Sequence, residues 1–146
     1  MTTYQWEQPH EPMPPEVRDS LLDIRKDLLV LSWLPDRRTS PAPTGLGGRA
    51  AEMESTIGDR NFTEYAEQYL LEHSRTLEDL RTRCNEASAF PAASWLEEIR
   101  QGWEDELEPS DKEIDVEWLD SQAELIFVTI DEDLQQAFGE GHRLSL

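Results

Sequence analysis

Leu125-Ile126-Phe127-Val128-Thr129-Ile130 is the stretch whose conformation decides the fold. Read as a buried strand, it gives an α+β protein with a strand near 124–130. Read as helix, Ile126 and Ile130 join Ile114, Trp118, Leu134 and Phe138 on an i+4 lattice that runs to a cap at Gly139. Thr129-x-x-Glu132 also has the form of a fresh helix start. A lone strand would leave its backbone donors and acceptors unpaired, and no second strand is evident elsewhere in the chain. It would find a partner only in a second copy, which leaves a homodimer open. Helix is therefore the preferred reading, and the expected fold is all-α, a bundle of four to five helices.

Working outward, Pro109 separates this segment from what precedes it, and Ser110-Asp111-Lys112-Glu113 has the form of a capping box. Upstream, Phe90-Pro91 opens a helix with Trp95, Leu96, Ile99, Trp103 and Leu107 on one face. Gly102 inside it costs about 1 kcal/mol relative to alanine, unless it admits a neighbour's bulk. Earlier still, Asn61-Phe62-Thr63-Glu64 reads as a capping box with asparagine at the cap. It starts a long helix to about Ala87, with a stripe through Phe62, Ala66, Tyr69, His73, Leu77, Leu80, Cys84 and Ala87. A first helix begins at Pro15, buries Val17, Leu21, Ile24, Leu28 and Leu31, and stops at Pro35. Residues 35–48 have linker composition, and 49–57 suit a short helix. Residues 1–14, with Pro9, Pro12 and Pro14, read as a flexible N-terminal arm, residues 15–139 as one helical domain and 140–146 as a tail.

A chain of 146 residues can bury a core without disulfides or a structural metal, and its five tryptophans, three tyrosines and four phenylalanines argue against wholesale disorder. Its single cysteine, Cys84, excludes an internal disulfide and sits at no metal or redox spacing. The first residues lack the basic and apolar regions of a signal peptide, and the longest apolar run is too short to cross a bilayer, so a cytoplasmic protein is expected.

Charge is the informative quantity. The formal net charge is −19, and it is spread unevenly: residues 91–146 hold sixteen acids against three bases. Binding to nucleic acid or an anionic membrane is disfavoured, because neutralising phosphate needs lysine and arginine. A basic protein partner, such as a toxin or a nucleic-acid-handling protein, is favoured.

Motifs for chemistry are weak. His10, His73 and His142 are scattered, and His73 lies eleven residues from Cys84 on one helix, about 16 Å along the axis, too far for a dyad. Asp131-Glu132-Asp133 and Asp111-x-x-x-Asp115 lack the glycine and terminal glutamate of a calcium loop. Gly45-Leu46-Gly47-Gly48 has neither the Lys-Ser/Thr nor the preceding strand of a phosphate cradle. No catalytic, cofactor or metal residue is assigned, and a non-enzymatic protein is expected.

One tract rises above this background. Between Glu97 and Asp133 lie fifteen acids, with only Arg100 and Lys112 to offset them. Carboxylates at i, i+3 and i+4 on a helix stand about 5–6 Å apart at Cβ, comparable to phosphate spacing along a nucleic-acid strand. The expected partner-binding residues are Glu97, Glu104, Asp105, Glu106, Glu108, Asp111 and Asp115, with Trp103 as an aromatic anchor. Inhibitors, immunity proteins, antitoxins and nucleic-acid mimics share this physical profile. The competing reading is a scaffold or assembly subunit bound through apolar helix faces, with the acids serving solubility alone and the tryptophans serving the core.

Overall fold

The computed structural model describes residues 11–108 and 114–138, with side chains as far as 135. Five α-helices follow one another: α1 (Pro15–Trp33), α2 (Gly47–Ile57), α3 (Phe62–Glu86), α4 (Phe90–Leu107) and α5 (Val116–Phe138). A 3₁₀ turn (Leu34–Asp36) follows α1. Among the described residues there is no strand, and 124–130 is uninterrupted helix. Its burial pattern gives the reason. Ile126 and Ile130 are buried while Val128 faces solvent. That is the periodicity of a helix; alternation would have placed all three on one face.

The bundle is assembled from two pairs. α3 and α4 form a helical hairpin across the short turn at residues 87–89, and α5 lies along α1. Met13 meets Asp133 and Arg25 lies over the ring of Phe127, so α1 and α5 run in opposite directions. Leu21, Leu28 and Leu31 of α1, Leu70 and Leu77 of α3, Leu96 and Trp103 of α4, and Leu119 and Ile126 of α5 are fully buried in one common core. Each such side chain contributes about 1.5–3 kcal/mol relative to exposure.

Local signals account for the helix ends. Pro15 occupies the first turn of α1. The Asn61 side chain accepts from the backbone N–H of Thr63 at 2.8 Å and of Glu64 at 3.3 Å, capping α3. At the other end of α3, Ala89 N–H donates to Cys84 O and Ser88 N–H to Asn85 O, with Ser88 at φ 62°. This is a Schellman motif carrying serine where glycine is usual. The Ser110–Glu113 box lies outside the described residues, and α5 is capped by Asp115, whose carboxylate accepts from Glu117 N–H at 2.9 Å.

Residues 11–14, assigned from sequence to a flexible arm, are packed. Met13 is 1% exposed, its N–H donates to both carboxylate oxygens of the buried Asp133, and Glu11 N–H donates to Ser88 O. The ordered part of the domain therefore starts at least four residues before Pro15. Residues 1–10 and the tail at 140–146 lie outside the described residues.

Candidate functional site: the acidic tract and the seam between α4 and α5

The structure divides the acidic tract between the two flanks of α4. On the flank toward α3, Arg100 Nε donates to Glu97 at 3.0 Å, and its two terminal nitrogens engage Glu97 and Glu104. Arg81 of α3 reaches the same Glu97 carboxylate at 3.3 Å. The hydrogen bond from Arg100 holds the Glu97 carboxyl below the usual carboxylate range, aided by the charges of Arg100 and Arg81 and opposed by desolvation. Glu97 and Glu104 are thus the two predicted partner-binding residues that the fold brings together, and it brings them together on arginines. From sequence only Arg100 and Lys112 offset the tract; on this flank α3 adds Arg81. Arg81 was missed because it lies sixteen residues before Glu97, on another helix.

The other predicted residues are spread out. Asp105 is exposed and accepts from the Gln101 amide at 3.2 Å, Glu106 is half-buried, and Glu108 is exposed at the C-cap of α4. Asp111 falls outside the described residues. Asp115 performs the capping described above, so it has structural work of its own. Trp103 is a correction: it is 0% exposed, and its indole N–H donates to the half-buried Gln122 of α5 at 2.9 Å. A residue without surface cannot anchor a partner.

On the opposite flank of α4 the arrangement differs. Trp95 and Ile99 face Leu125, Val128 and Thr129 of α5 across an open groove of about 430 Å³, and Glu98 and Glu132 stand on its edges. Leu125 is 41% and Val128 43% exposed, two of three large apolar side chains left in water among the described residues. The third is Leu71, 58% exposed on α3. The Thr129 hydroxyl donates back to Leu125 O at 2.8 Å, so its proton is engaged within α5. A sequence signal for the groove existed. An apolar run longer than one helical face, as at 125–130, must leave some of its side chains outside the core.

A second polar cluster went unread in the sequence. Asp27 of α1 accepts from Tyr69 Oη at 2.8 Å and from Arg49 at 2.7 Å, and Arg49 also reaches Asp23 at 3.3 Å. The His73 ring stacks on Tyr69 with centroids 3.8 Å apart, and its Nδ1 lies 2.9 Å from Tyr69 O. Burial, then the Asp27 charge, pushes the Tyr69 hydroxyl far above its ordinary value, so it remains a donor. The cluster ties α1, α2 and α3 together.

Cys84 is buried, and its thiol is pushed up to about 12 by desolvation and by the charges of Asp133 and Glu16. A thiol so protonated is a core filler and no nucleophile. Among the described residues no group of three or more histidine, cysteine, aspartate or glutamate side chains is arranged to hold a metal ion. No helix among them is long and apolar enough to cross a membrane. No protein-family model, curated protein or solved structure matches the chain.

Proposed function

We propose that the chain is a non-enzymatic protein-binding module whose acidic helical surface engages a basic protein partner. One observation carries this reading. Glu98, Asp105, Glu108, Asp120, Glu124 and Glu132 are exposed on α4 and α5 and make no ion pair among the described residues. Like charges crowded on helices cost tenths of a kcal/mol per neighbouring pair, and among the described residues no cation pairs with these six to offset that cost. A cationic surface on another protein would offset it and would be steered toward it. Inhibition of a nucleic-acid-handling protein, or neutralisation of a basic toxin, is the role that suits such a surface.

The test replaces those six carboxylates by their amides, which keep shape and remove charge. The partner is recovered from the source cells at low ionic strength, identified, and then purified. The variant should fold and be as stable as the parent or slightly more so. Its association with the purified partner should slow, and the salt dependence of affinity should flatten. Unchanged affinity and salt dependence in a folded variant would reduce the acids to a solubilising role.

The rival reading, an assembly subunit bound through apolar faces, is favoured at one place, the groove of Trp95, Leu125 and Val128. Carboxylates stand on both edges of that groove, so even there the chemistry calls for a cationic neighbour.

A further inference from the structure

We infer that the groove between α4 and α5 receives an amphipathic helix of the basic partner, with apolar anchors in the groove and arginine or lysine against its edges. The inference rests on the preceding reading and narrows it from a charged surface to one docking site. Its floor and walls are Trp95, Ile99, Leu125 and Val128, and its edges are Glu98 and Glu132. The occupant must therefore be apolar along its middle and cationic along its margins.

A small polar ligand does not meet that description. It needs several convergent polar groups, and between the edges the groove offers the Trp95 indole N–H and Thr129, whose hydroxyl proton is already given to Leu125 O. A second copy of the chain fits no better. A two-fold contact through the groove would set Glu98 and Glu132 of one copy against the same carboxylates of the other, in a chain of net charge −19.

Length matches a helix. From Leu125 to Glu132 the α5 wall extends about 10 Å at 1.5 Å per residue, two helical turns, which accommodates anchors at i, i+4 and i+7 of a docked helix. Gly102 follows Ile99 by three residues on the same flank of α4, is exposed, and has open space where a Cβ would stand. At that point a partner's helix can come close to the α4 backbone.

The probe is a 16-residue helical peptide with leucines at i, i+4 and i+7 and arginines on both margins. Two controls accompany it: the same residues in scrambled order, and a version with glutamate for arginine. Binding is measured by calorimetry, and the footprint by amide and indole chemical shifts of the full chain. The amphipathic basic peptide should bind, more weakly as salt rises, and should move the signals of Trp95, Ile99, Leu125 and Val128. Both controls should bind at least about tenfold more weakly, the loss expected when an anchor or its charged margin is removed.

The deciding variant is Leu125→Asp with Val128→Asp. It removes the apolar wall while adding negative charge, so attraction by charge alone predicts equal or tighter binding, and the groove predicts a loss of about tenfold or more. Equal or tighter binding by the folded variant, equal binding of either control, or shifts spread over the whole acidic surface would overturn the inference. So would self-association of the parent chain that the same variant abolishes. If the variant does not fold, the shift map of the parent decides alone. These failures leave the broader reading standing, because that reading falls only if the six-amide variant keeps its affinity for the purified partner.

Discussion

The two flanks of α4 carry similar residues and do different things. Toward α3, Glu97 and Glu104 close on Arg100 and Arg81, and the charges are spent within the molecule. Toward α5, Glu98 makes no ion pair among the described residues and stands beside Trp95, Ile99 and an exposed wall of Leu125 and Val128. Both flanks read from the sequence as one acidic tract. What separates them is the neighbouring helix. α3 supplies an arginine at the contact, whereas α5 supplies apolar side chains and another glutamate. An acidic cluster in sequence is therefore no guide to an acidic site until each carboxylate is assigned a partner.

The largest effect that would break this comparison lies in the core, where α4 meets α5 at Trp103. Trp103→Ala should destabilise the fold by about 3–5 kcal/mol, because it empties a fully buried site and strips Gln122 of its donor. Leu125→Ala, on the groove wall, should stay within about 0.5 kcal/mol of the parent. Urea unfolding of the two variants measures both. A small cost at Trp103 would mean that α4 and α5 are not joined at the Trp103–Gln122 contact, and the two walls of the groove would then not be held at a fixed spacing.

Next in size is Gly102→Ala. The glycine is helical and exposed, and a Cβ there meets nothing within 4 Å. Alanine should therefore stabilise the protein by about 1 kcal/mol, the helix-propensity difference between the two residues. The same substitution should weaken the basic peptide if a docked helix approaches the backbone at that point. A stabilised variant with undiminished peptide binding would limit the docking site to the stretch between Trp95 and Ile99. The measurements are thermal unfolding and the calorimetry described above.

The helices were legible in the sequence because each carries a local signal. Pro15, Asn61 and Pro91 mark starts, and the stripes through Leu21, Leu28 and Leu77 mark inward faces. The choice of helix at 125–130 followed from backbone hydrogen bonding, since one strand cannot satisfy itself. Three features were not legible, because local spacing does not say which element packs against each residue. Met13 is buried through Asp133, 120 residues away. His73 was placed on the buried stripe, yet Leu70 and Ser74 are buried and His73 stacks at the edge. The tryptophans of α4 could not be ranked from sequence, where Trp95 and Trp103 share a face. The packing of α5 hides the second and leaves the first beside the groove.

The smallest expected effect tests the closed flank. Arg100 donates to Glu97, which holds that carboxyl below its ordinary value of 4.5, whereas in the unfolded chain it returns toward that value. A carboxyl whose pKa is lower in the folded state stabilises the fold wherever it is ionised in both states. That contribution is complete above the unfolded value and is lost as pH falls through the folded one. Glu97 is 37% exposed, so solvent screens its pairs, and their worth is no more than about 1 kcal/mol. Glu97→Gln should therefore lower the melting temperature slightly at pH 7, and the two melting curves should converge as pH falls below about 4.5. Glutamine keeps an acceptor for Arg100, so the difference isolates the charge. Melting temperatures for both proteins from pH 7 to 3 measure it. Parallel curves across that range would show that Glu97 is as open to solvent as Glu98, and the two flanks of α4 would then no longer differ in charge pairing.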